Sequence, residues 1–379
     1  MIQFYILLSI TIGFIIVTYA IPKIIYISHE KKLFDIPNER SASRVITPHL
    51  GGIGIFAGFY VSLVTTLQCL DIHPVSGLLL ASVVMFLIGL KDDLIGLSAR
   101  RKLAFQVVTA LYLILLGGVK ITNLHGLLGI YEIAPLSGTL LSLFTIVGII
   151  NAYNLIDGID GLAAGTGILL SIVFGSLFTM AGQIEYAIVS FSLTGSLIAF
   201  FFFNVFGRVN KIFMGDTGSL TLGTIFAFLT IEFLRQPASA QHLIGSPAVV
   251  LAIMIVPIVD TIRVMTIRMA QKRSPFSADK NHIHHQLIKL TGNNHLHASL
   301  MIMVANLAFI VFACGFLHIL GNNLLFLILV VAGFSAAYIP VWANKQEEKI
   351  IQKKEQSTIR VIQFNREEPI RHSKTAEGL

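Results

Sequence analysis

The residues best suited to chemistry are acids that stand at the borders of long apolar segments. They are Asp92 and Asp93 in LKDDLIGLSARRKL, Asp157 and Asp160 in NLIDGIDGL, and Asp216 in FMGDTGSL. A carboxylate at the edge of a membrane-length segment is costly, so it is normally paired, bound to a metal or functional. Any one of them alone could equally be a helix cap or the partner of a nearby Lys or Arg.

Asp216 has the surroundings of a diphosphate site. Thr217 and Ser219 follow it, glycines stand at 215 and 218, and an apolar segment begins directly afterwards. Glycines let backbone amides approach a phosphate, and a helix N-terminus favours an anion or the metal that accompanies it. The pattern indicates a metal-bound diphosphate.

The pair Asp157 and Asp160 concentrates oxygen ligands. In a helix the two acids would share a face with Asn154, whereas the glycine that follows each acid is equally compatible with a broken turn. Ligation by a few oxygen atoms suits Mg²⁺, which shares phosphate oxygens with its substrate, and Mn²⁺ is the alternative cofactor.

A fourth polar cluster lies in SPFSADKNHIHHQL. Its histidines are His282, His284 and His285. They could form a zinc site, but no Cys accompanies them. The neighbouring basic residues are Lys272, Arg273 and Lys280. A basic loop with imidazole donors fits a phosphate better than a cation.

The elements that must position these residues are transmembrane helices. Of 379 residues, 55% are hydrophobic and 12% are charged, which is too few charges to cover a soluble domain of this size. The 2 cysteines, Cys69 and Cys314, lie in or beside apolar segments and are expected to be packing residues. The sequence therefore predicts an all-α integral membrane protein.

About eleven segments have the roughly 20 apolar residues that a bilayer-crossing helix needs. They are 3–26, 50–68, 76–90, 103–118, 136–156, 162–181, 185–204, 218–234, 246–266, 298–319 and 322–343. Tight joins near 157–161 and 181–185 leave counts of ten or twelve open. The predicted domains are a polytopic transmembrane domain over 1–343 and a polar cytoplasmic tail over 344–379.

The distribution of charge predicts the orientation. Most of the 27 Lys and Arg fall in the odd-numbered loops and the tail, and basic loops are retained on the cytoplasmic side. The N-terminus is thus predicted outside and the C-terminus inside. All five acids and the three histidines fall on the same predicted face. The net charge of +7 could suggest a nucleic-acid partner, but this distribution argues against one.

Five motifs, in this order, resemble the polyprenyl-phosphate N-acetylhexosamine-1-phosphate transferases. They are DIPNERS with TPHLGGIGI, LKDDLIGLSARRKL, NAYNLIDGIDGLAAG, FFFNVFGRVNKIFMGDTGSLTLG and SPFSADKNHIHHQL. The resemblance covers about residues 30 to 300. The histidine loop is more similar to the WecA type than to MraY, whose corresponding loop has three consecutive histidines.

The resemblance implies a role for each site residue. The catalytic set would be Asp92, Asp93, Asp157, Asp160 and Asp216. Magnesium would be held by Asp216, Asn154 and Asp157. Asp92 and Asp93 would sit by the lipid phosphate, one as a proposed base. Phe213 would stack on uracil, and contacts to phosphates or sugar would come from Lys102, Asn204, His282, His284 and His285. Because this chain departs from the family after PN, the phosphate contact of that loop would fall to Arg40 or Arg44.

The reaction implied by the resemblance starts a surface polysaccharide at a bacterial inner membrane. An N-acetylhexosamine 1-phosphate would pass from a UDP-amino sugar to undecaprenyl phosphate, releasing UMP. The type of histidine loop favours GlcNAc, with GalNAc, FucNAc and QuiNAc as alternatives. The lipid bilayer is the expected environment, and a homodimer is open because homodimers occur in the family.

A secondary transporter is the rival from another class. It predicts acids near helix centres and paired half-repeats. Here the acids fall at helix ends, and the sequence shows no internal repeat.

Overall fold

The computed structural model describes residues 1–33, 47–72, 75–237, 243, 245–274 and 281–374, with the backbone alone for 354–355 and 357–374. Within them the helices are α1 Ile2–Glu30, α2 Gly51–Cys69, α3 Ser76–Ile95, α4 Ala99–Leu115, α5 Pro135–Ile156, α6 Leu162–Met180, α7 Ile184–Phe201, α8 Gly215–Arg235, α9 Pro247–Ile253, α10 Ile255–Ala270, α11 Ile283–Leu290 and α12 His295–Lys374. A π-helical turn, Phe202–Phe206, extends α7, and two strands, β1 Asn123–Leu127 and β2 Ile130–Glu132, pair antiparallel.

The prediction of an all-α membrane protein is confirmed. In the described residues, 7 helices are long and apolar enough to cross a membrane, or up to 8 if the bent pair α9 and α10 counts as one span. The eleven predicted segments all fall on helices: 246–266 falls on the two helices α9 and α10, and 298–319 and 322–343 both fall on α12. α3 falls outside that count because Lys91, Asp92 and Asp93 stand near its end, and α4 has only 17 residues. The number eleven and the orientation stay predictions.

The helix α8 lies at the centre of the bundle. Its residues from Thr217 to Leu234 are all buried, and it packs against α2, α3 and α5. Close approach depends on small residues, as is usual between helices in a membrane. A Cβ added to Gly52 would lie 2.1 Å from the amide nitrogen of Gly218, so α2 begins directly beside the beginning of α8.

The segment 247–270 is a broken helix. α9 and α10 meet at Met254 with a bend of 78°. Pro257 has no N–H and cannot donate to the Ile253 carbonyl one turn earlier. The Asn306 side chain of α12 donates instead to the carbonyls of Ala252, at 3.3 Å, and Ile253, at 3.2 Å. The bend therefore leaves these two carbonyl groups paired.

A small hairpin, formed by β1 and β2, covers the end of the bundle at which α8 ends. The turn between β1 and β2 is fixed by Asn323, whose side chain accepts from Leu128 N at 2.6 Å and donates to the Gly126 carbonyl at 3.0 Å. Asn323 lies two residues after the break of α12 at Gly321, which has a φ of 68°. The hairpin was not among the sequence predictions, and it leaves the fold class unchanged.

Candidate active site

Asp93 caps the N-terminus of α8. Its carboxylate accepts the amides of Asp216, at 2.8 Å, and Thr217, at 2.9 Å, and also the Thr217 hydroxyl. A negative charge here is favourable because the first amides of a helix have no partner within the helix. Both oxygens of Asp93 are thus used in holding Asp216 at the start of α8.

The backbone at this junction leaves no room for a side chain. Gly215 has a φ of 71°, and a Cβ would lie 2.0 Å from the His49 carbonyl oxygen. The amides of Gly51 and Gly52 donate to the carbonyls of Phe213 and Met214, each at 2.9 Å. These bonds tie the beginning of α2 to the segment before α8 and determine where Asp216 points.

Lys102 bridges two of the predicted acids. Its ammonium forms an ion pair with Asp92 and donates to Asp216 Oδ2 at 3.0 Å. The second oxygen of Asp216, Oδ1, accepts from Asn154 Nδ2 at 2.5 Å. Residues from the end of α3, the start of α4, the end of α5 and the start of α8 therefore form one cluster, as the predicted bundling required.

Asp157 extends this cluster of negative charge. It ends α5, and in the described part of the chain its carboxyl group has neither a hydrogen bond nor an ion pair. Burial raises the pKa of Asp157 to about 8, and the charges of Asp216, Asp93 and Asp160 add to the shift. The carboxyl group faces excess negative charge that a bound cation would relieve.

Asp160 lies in a different environment although it is only three residues away. It pairs with Lys211 Nζ at 2.7 Å and with His295 Nδ1 at 3.0 Å. Burial alone would raise the pKa of Asp160, but the hydrogen bonds from His295 and Lys211 lower it below its ordinary value. Asp160 is therefore a charged anchor that joins the α5–α6 turn to α12 and to the segment before α8.

Asn204 is buried in the same region and bonds to backbone on both sides. Its oxygen accepts from Gly161 N at 2.7 Å, and its nitrogen donates to the Ile212 carbonyl at 3.0 Å. Asn204 therefore ties the two loops together, and its contact with a phosphate or sugar stays a prediction.

Phe213 lies at the rim of the cluster. It is half-buried, and the Lys211 ammonium lies 5.6 Å from the centre of its ring. An aromatic face with an adjacent cation suits a uracil that carries phosphates, but stacking stays a prediction.

The three histidines lie close to the acids. His284 packs against Gly158, where a Cβ would come 2.2 Å from its Nε2 atom. Its ring stacks on His282, with centres 5.5 Å apart, and lies 4.3 Å from the ring of His285. Burial lowers the pKa of His284 to about 3, with a further contribution from His285, so the ring is neutral.

His282 is paired with a residue that the sequence reasoning missed. Its Nδ1 lies 2.9 Å from Asp260 Oδ2, and both side chains are buried. Asp260 stands inside an apolar segment with an arginine three residues later, in IVPIVDTIRV. An acid in such a segment is a signal of function by itself, and it could have been found.

Comparison with known proteins decides the family. Residues 75–234 match glycosyl transferase family 4. An undecaprenyl-phosphate alpha-N-acetylglucosaminyl 1-phosphate transferase of Escherichia coli (strain K12) is 31% identical over 72% of this chain and 73% of its own length. The protein of the same name from Yersinia pestis is 31% identical over 72% of this chain and 74% of its own. A decaprenyl-phosphate N-acetylglucosaminephosphotransferase of Mycobacterium tuberculosis is 34% identical over 70% and 71%.

The chain belongs to glycosyl transferase family 4. The resemblance drawn from the five motifs is thereby confirmed. The matched segment contains the family residues of four helix ends, from Asp92 to Asp216, and the histidine loop follows it.

The residues of this family member fit a magnesium ion. Asp216, Asp157 and Asn154 offer oxygen atoms, and in the described part of the chain Lys102 is the cation whose ion pairs reach this cluster. No three His, Cys, Asp or Glu side chains among the described residues converge enough to hold a metal by themselves. Magnesium does not require that, because it keeps waters and shares the phosphate oxygens of its substrate.

Three basic residues named in the sequence analysis lie outside the described residues. They are Arg40 and Arg44, suggested as phosphate contacts, and Lys280, a neighbour of the histidines. The other predicted site residues all fall at one end of the bundle, and their individual roles stay predictions.

Proposed function

We propose that this chain transfers N-acetylglucosamine 1-phosphate from UDP-N-acetylglucosamine to undecaprenyl phosphate, forming undecaprenyl-diphosphate-N-acetylglucosamine and UMP. The observation that carries the proposal is the cluster of Asp92, Lys102, Asn154 and Asp216 at the ends of membrane helices. A site at this depth admits a water-soluble nucleotide from one side and a lipid phosphate from the bilayer.

The names of the relatives support the sugar and the type of lipid. Those from Escherichia coli and Mycobacterium tuberculosis both name N-acetylglucosamine and a polyprenyl phosphate. They differ in the length of the prenyl chain, undecaprenyl in one and decaprenyl in the other. The proposal commits to undecaprenyl phosphate. The product would be the first lipid-linked intermediate of a surface polysaccharide such as O-antigen, common antigen or teichoic acid.

The reaction is a phosphoryl transfer between two anions. An oxygen of the lipid phosphate bonds to the phosphorus that bears the sugar, and the bond from that phosphorus to the bridging oxygen breaks, with the bridging oxygen leaving on UMP. Alignment and charge neutralisation are the main requirements of such a step. Magnesium, when bound, supplies electrostatic stabilisation of the diphosphate.

The side chains divide these tasks. Asp216, Asp157 and Asn154 would hold the metal, and Lys102 would turn its ammonium to a phosphate. Asp93 would maintain the start of α8, and Phe213 would receive the uracil. The neutral ring of His284 would offer a hydrogen bond to the sugar or to a phosphate oxygen.

A direct displacement fits this arrangement better than an aspartyl intermediate. A polyprenyl phosphate is already ionised near neutral pH, so its attack requires no general base. Both oxygens of Asp93 already accept hydrogen bonds from the start of α8. Asp93 is therefore not presented as a free nucleophile.

The test is UMP release by the purified protein with undecaprenyl phosphate and Mg²⁺. Parallel reactions use UDP-GlcNAc, UDP-GalNAc, UDP-FucNAc and UDP-QuiNAc, each with and without EDTA, and a further set replaces the lipid by decaprenyl phosphate. Release with UDP-GlcNAc alone, abolished by EDTA, supports the proposal. Release with another sugar alone overturns the donor, and release that persists in EDTA overturns the role of the metal.

A further inference from the structure

Asp260, His282 and Arg268 form a buried chain of contacts beside the cluster of acids. Asp260 Oδ2 lies 2.9 Å from His282 Nδ1, and an Arg268 guanidinium nitrogen lies 3.3 Å from His282 Nε2. All three side chains are at most a few per cent exposed to solvent. Both ring nitrogens of His282 are therefore occupied by the protein.

These contacts decide the protonation of the ring. A guanidinium group only donates hydrogen bonds, so His282 Nε2 must present its lone pair to Arg268. A carboxylate only accepts, so Nδ1 must carry the proton that is donated to Asp260. His282 is consequently a neutral imidazole protonated at Nδ1.

Asp260 also anchors the helix that carries the other histidines. Its second oxygen, Oδ1, accepts from the Ile283 amide at 2.9 Å, at the start of α11, and from Arg263 at 3.2 Å. Arg263 donates in addition to the Asn281 carbonyl. In the middle of α11, the Gln286 carbonyl accepts from Asn344 of α12 at 2.9 Å. α11 is thus held from α10 at its start and from α12 further along.

The ring of His282, held in this orientation, stacks on the ring of His284. The two rings are nearly parallel, with an interplanar angle of 11° and centres 5.5 Å apart. On its other side His284 meets Gly158, between Asp157 and Asp160. The chain of contacts runs from Asp260 through His282 to His284 and ends at the loop that carries the two acids.

We propose that Asp260 is a positioning residue for the transfer reaction, which sets the tautomer and orientation of His282 and thereby holds the His284 ring against the Asp157–Asp160 loop. This inference rests on the proposed function for its kinetic consequence. Asp260 has no contact with substrate in this proposal. His282 acts by holding the ring of His284 in place.

The first test reads the tautomer directly and needs no turnover. In the protein labelled with ¹⁵N-histidine, the signals of His282 are identified as those missing from His282→Gln. The wild-type ring should show a protonated Nδ1 and an unprotonated Nε2. In Asp260→Asn, Oδ1 remains opposite Ile283 and Arg263, so the new NH₂ group faces Nδ1 while Arg268 still faces Nε2. Both ring nitrogens then face donors, and the ring should lose its preference for a proton at Nδ1. A wild-type ring protonated at Nε2, or at both nitrogens, overturns the proposal.

The second test measures kcat/KM for UMP release, with Glu232→Gln as the matched control. Glu232 is also a buried helix acid paired with an arginine three residues later, at 2.6 Å, but it lies at the opposite end of α8 from Asp216. Asp260→Asn should lower kcat/KM by at least about tenfold, because losing the partner that orients a histidine typically costs 10- to 100-fold. Glu232→Gln should retain activity.

The outcomes separate the two proposals. A wild-type protein that releases no UMP contradicts the proposed function, and the ¹⁵N spectra still decide the state of His282. Wild-type kcat/KM in Asp260→Asn, with the preference for the Nδ1 proton lost, overturns the positioning role alone. If Asp260→Asn does not fold, the wild-type spectrum remains a complete test of the contact geometry.

Discussion

Asp92 and Asp93 are adjacent in sequence but serve different partners. Asp92 pairs with the Lys102 ammonium, while Asp93 is bonded to the first amides of α8. Asp157 and Asp160 diverge in the same way, one beside other acids and one paired with Lys211 and His295. The function of a carboxylate here depends on which helix end it faces.

Asp216 is the side chain on which the proposed metal site depends most. Asp216→Asn keeps the shape but removes a charge, so turnover should fall by about 10²-fold or more, the usual cost of losing one preorganised electrostatic contact. The measurement is the rate of UMP release at saturating Mg²⁺. Asp71→Asn is the matched control, since Asp71 is exposed and its φ of 55° is well tolerated by Asn. Substantial activity in Asp216→Asn would contradict the metal-ligand assignment.

A substitution at Gly158 tests whether the rate of UMP release depends on the position of the His284 ring. A Cβ at this position would overlap the His284 ring, so Gly158→Ala must displace it. A shift of about 1 Å in a reacting group can cost 10²-fold, and we expect a loss of that order in the rate of UMP release. Gly148→Ala serves as the control because its added Cβ meets nothing within 4 Å. Equal activity in the two variants would show that the His284 ring can move without consequence.

At this scale the sequence predicted which residues meet but not their pairings. The five acids and Asn154 were found from their places at the ends of apolar segments, and Lys102 was found from the resemblance to the family. Their partners could not be found, because a carboxylate facing a helix N-terminus and one facing an ammonium have the same local sequence. Spacing also left open whether 154–160 was helical, and the end of α5 at Ile156 decides this.

At the scale of elements, the break between α9 and α10 is what brings Asp260 to the histidine loop. The sequence predicted one span over 246–266, whereas the structure has two helices that bend by 78°. Pro257 was a visible signal of a break. The Asn306 side chain that donates to the two carbonyls lies about fifty residues further along the chain. A contact between such distant residues cannot be predicted from the local sequence.

Asn306→Leu should destabilise this break. Leucine has a similar size but no donor, so two buried carbonyls would lose their partner, at a cost of about 1–3 kcal/mol. We expect a lower Tm in detergent, measured against Ser335→Ala, whose hydroxyl bonds only to the carbonyl four residues earlier on α12. An unchanged Tm in Asn306→Leu would mean that the carbonyls find another donor.

At the scale of the whole molecule, orientation decides which compartment supplies the nucleotide. The basic loops predict that the acids face the cytoplasm and that the β1–β2 hairpin faces outward. The structure places the acids and the hairpin at opposite ends of α8, and the side on which each end lies stays a prediction.

Cysteine labelling can assign them. With both native cysteines replaced by serine, Leu128→Cys in the hairpin should react with a membrane-impermeant thiol reagent in spheroplasts. Ser98→Cys, between α3 and α4, should react only after permeabilisation, because the predicted cytoplasmic face is then opened. Leu128 and Ser98 are both exposed, so a cysteine at either position is accessible to reagent on its own side. The reverse pattern would invert the topology.

The burial of α8 bears on how the chain is assembled during synthesis. This helix carries Asp216 in its first turn and Glu232 near its end, so its exposure to lipid before it packs would be unfavourable. Its main packing partners, α2, α3 and α5, all precede it in the chain. When α8 leaves the ribosome, the surface that receives it, including the carboxylate of Asp93 and the ammonium of Lys102, has already been made. The order of synthesis thus delivers the central helix to a prepared groove.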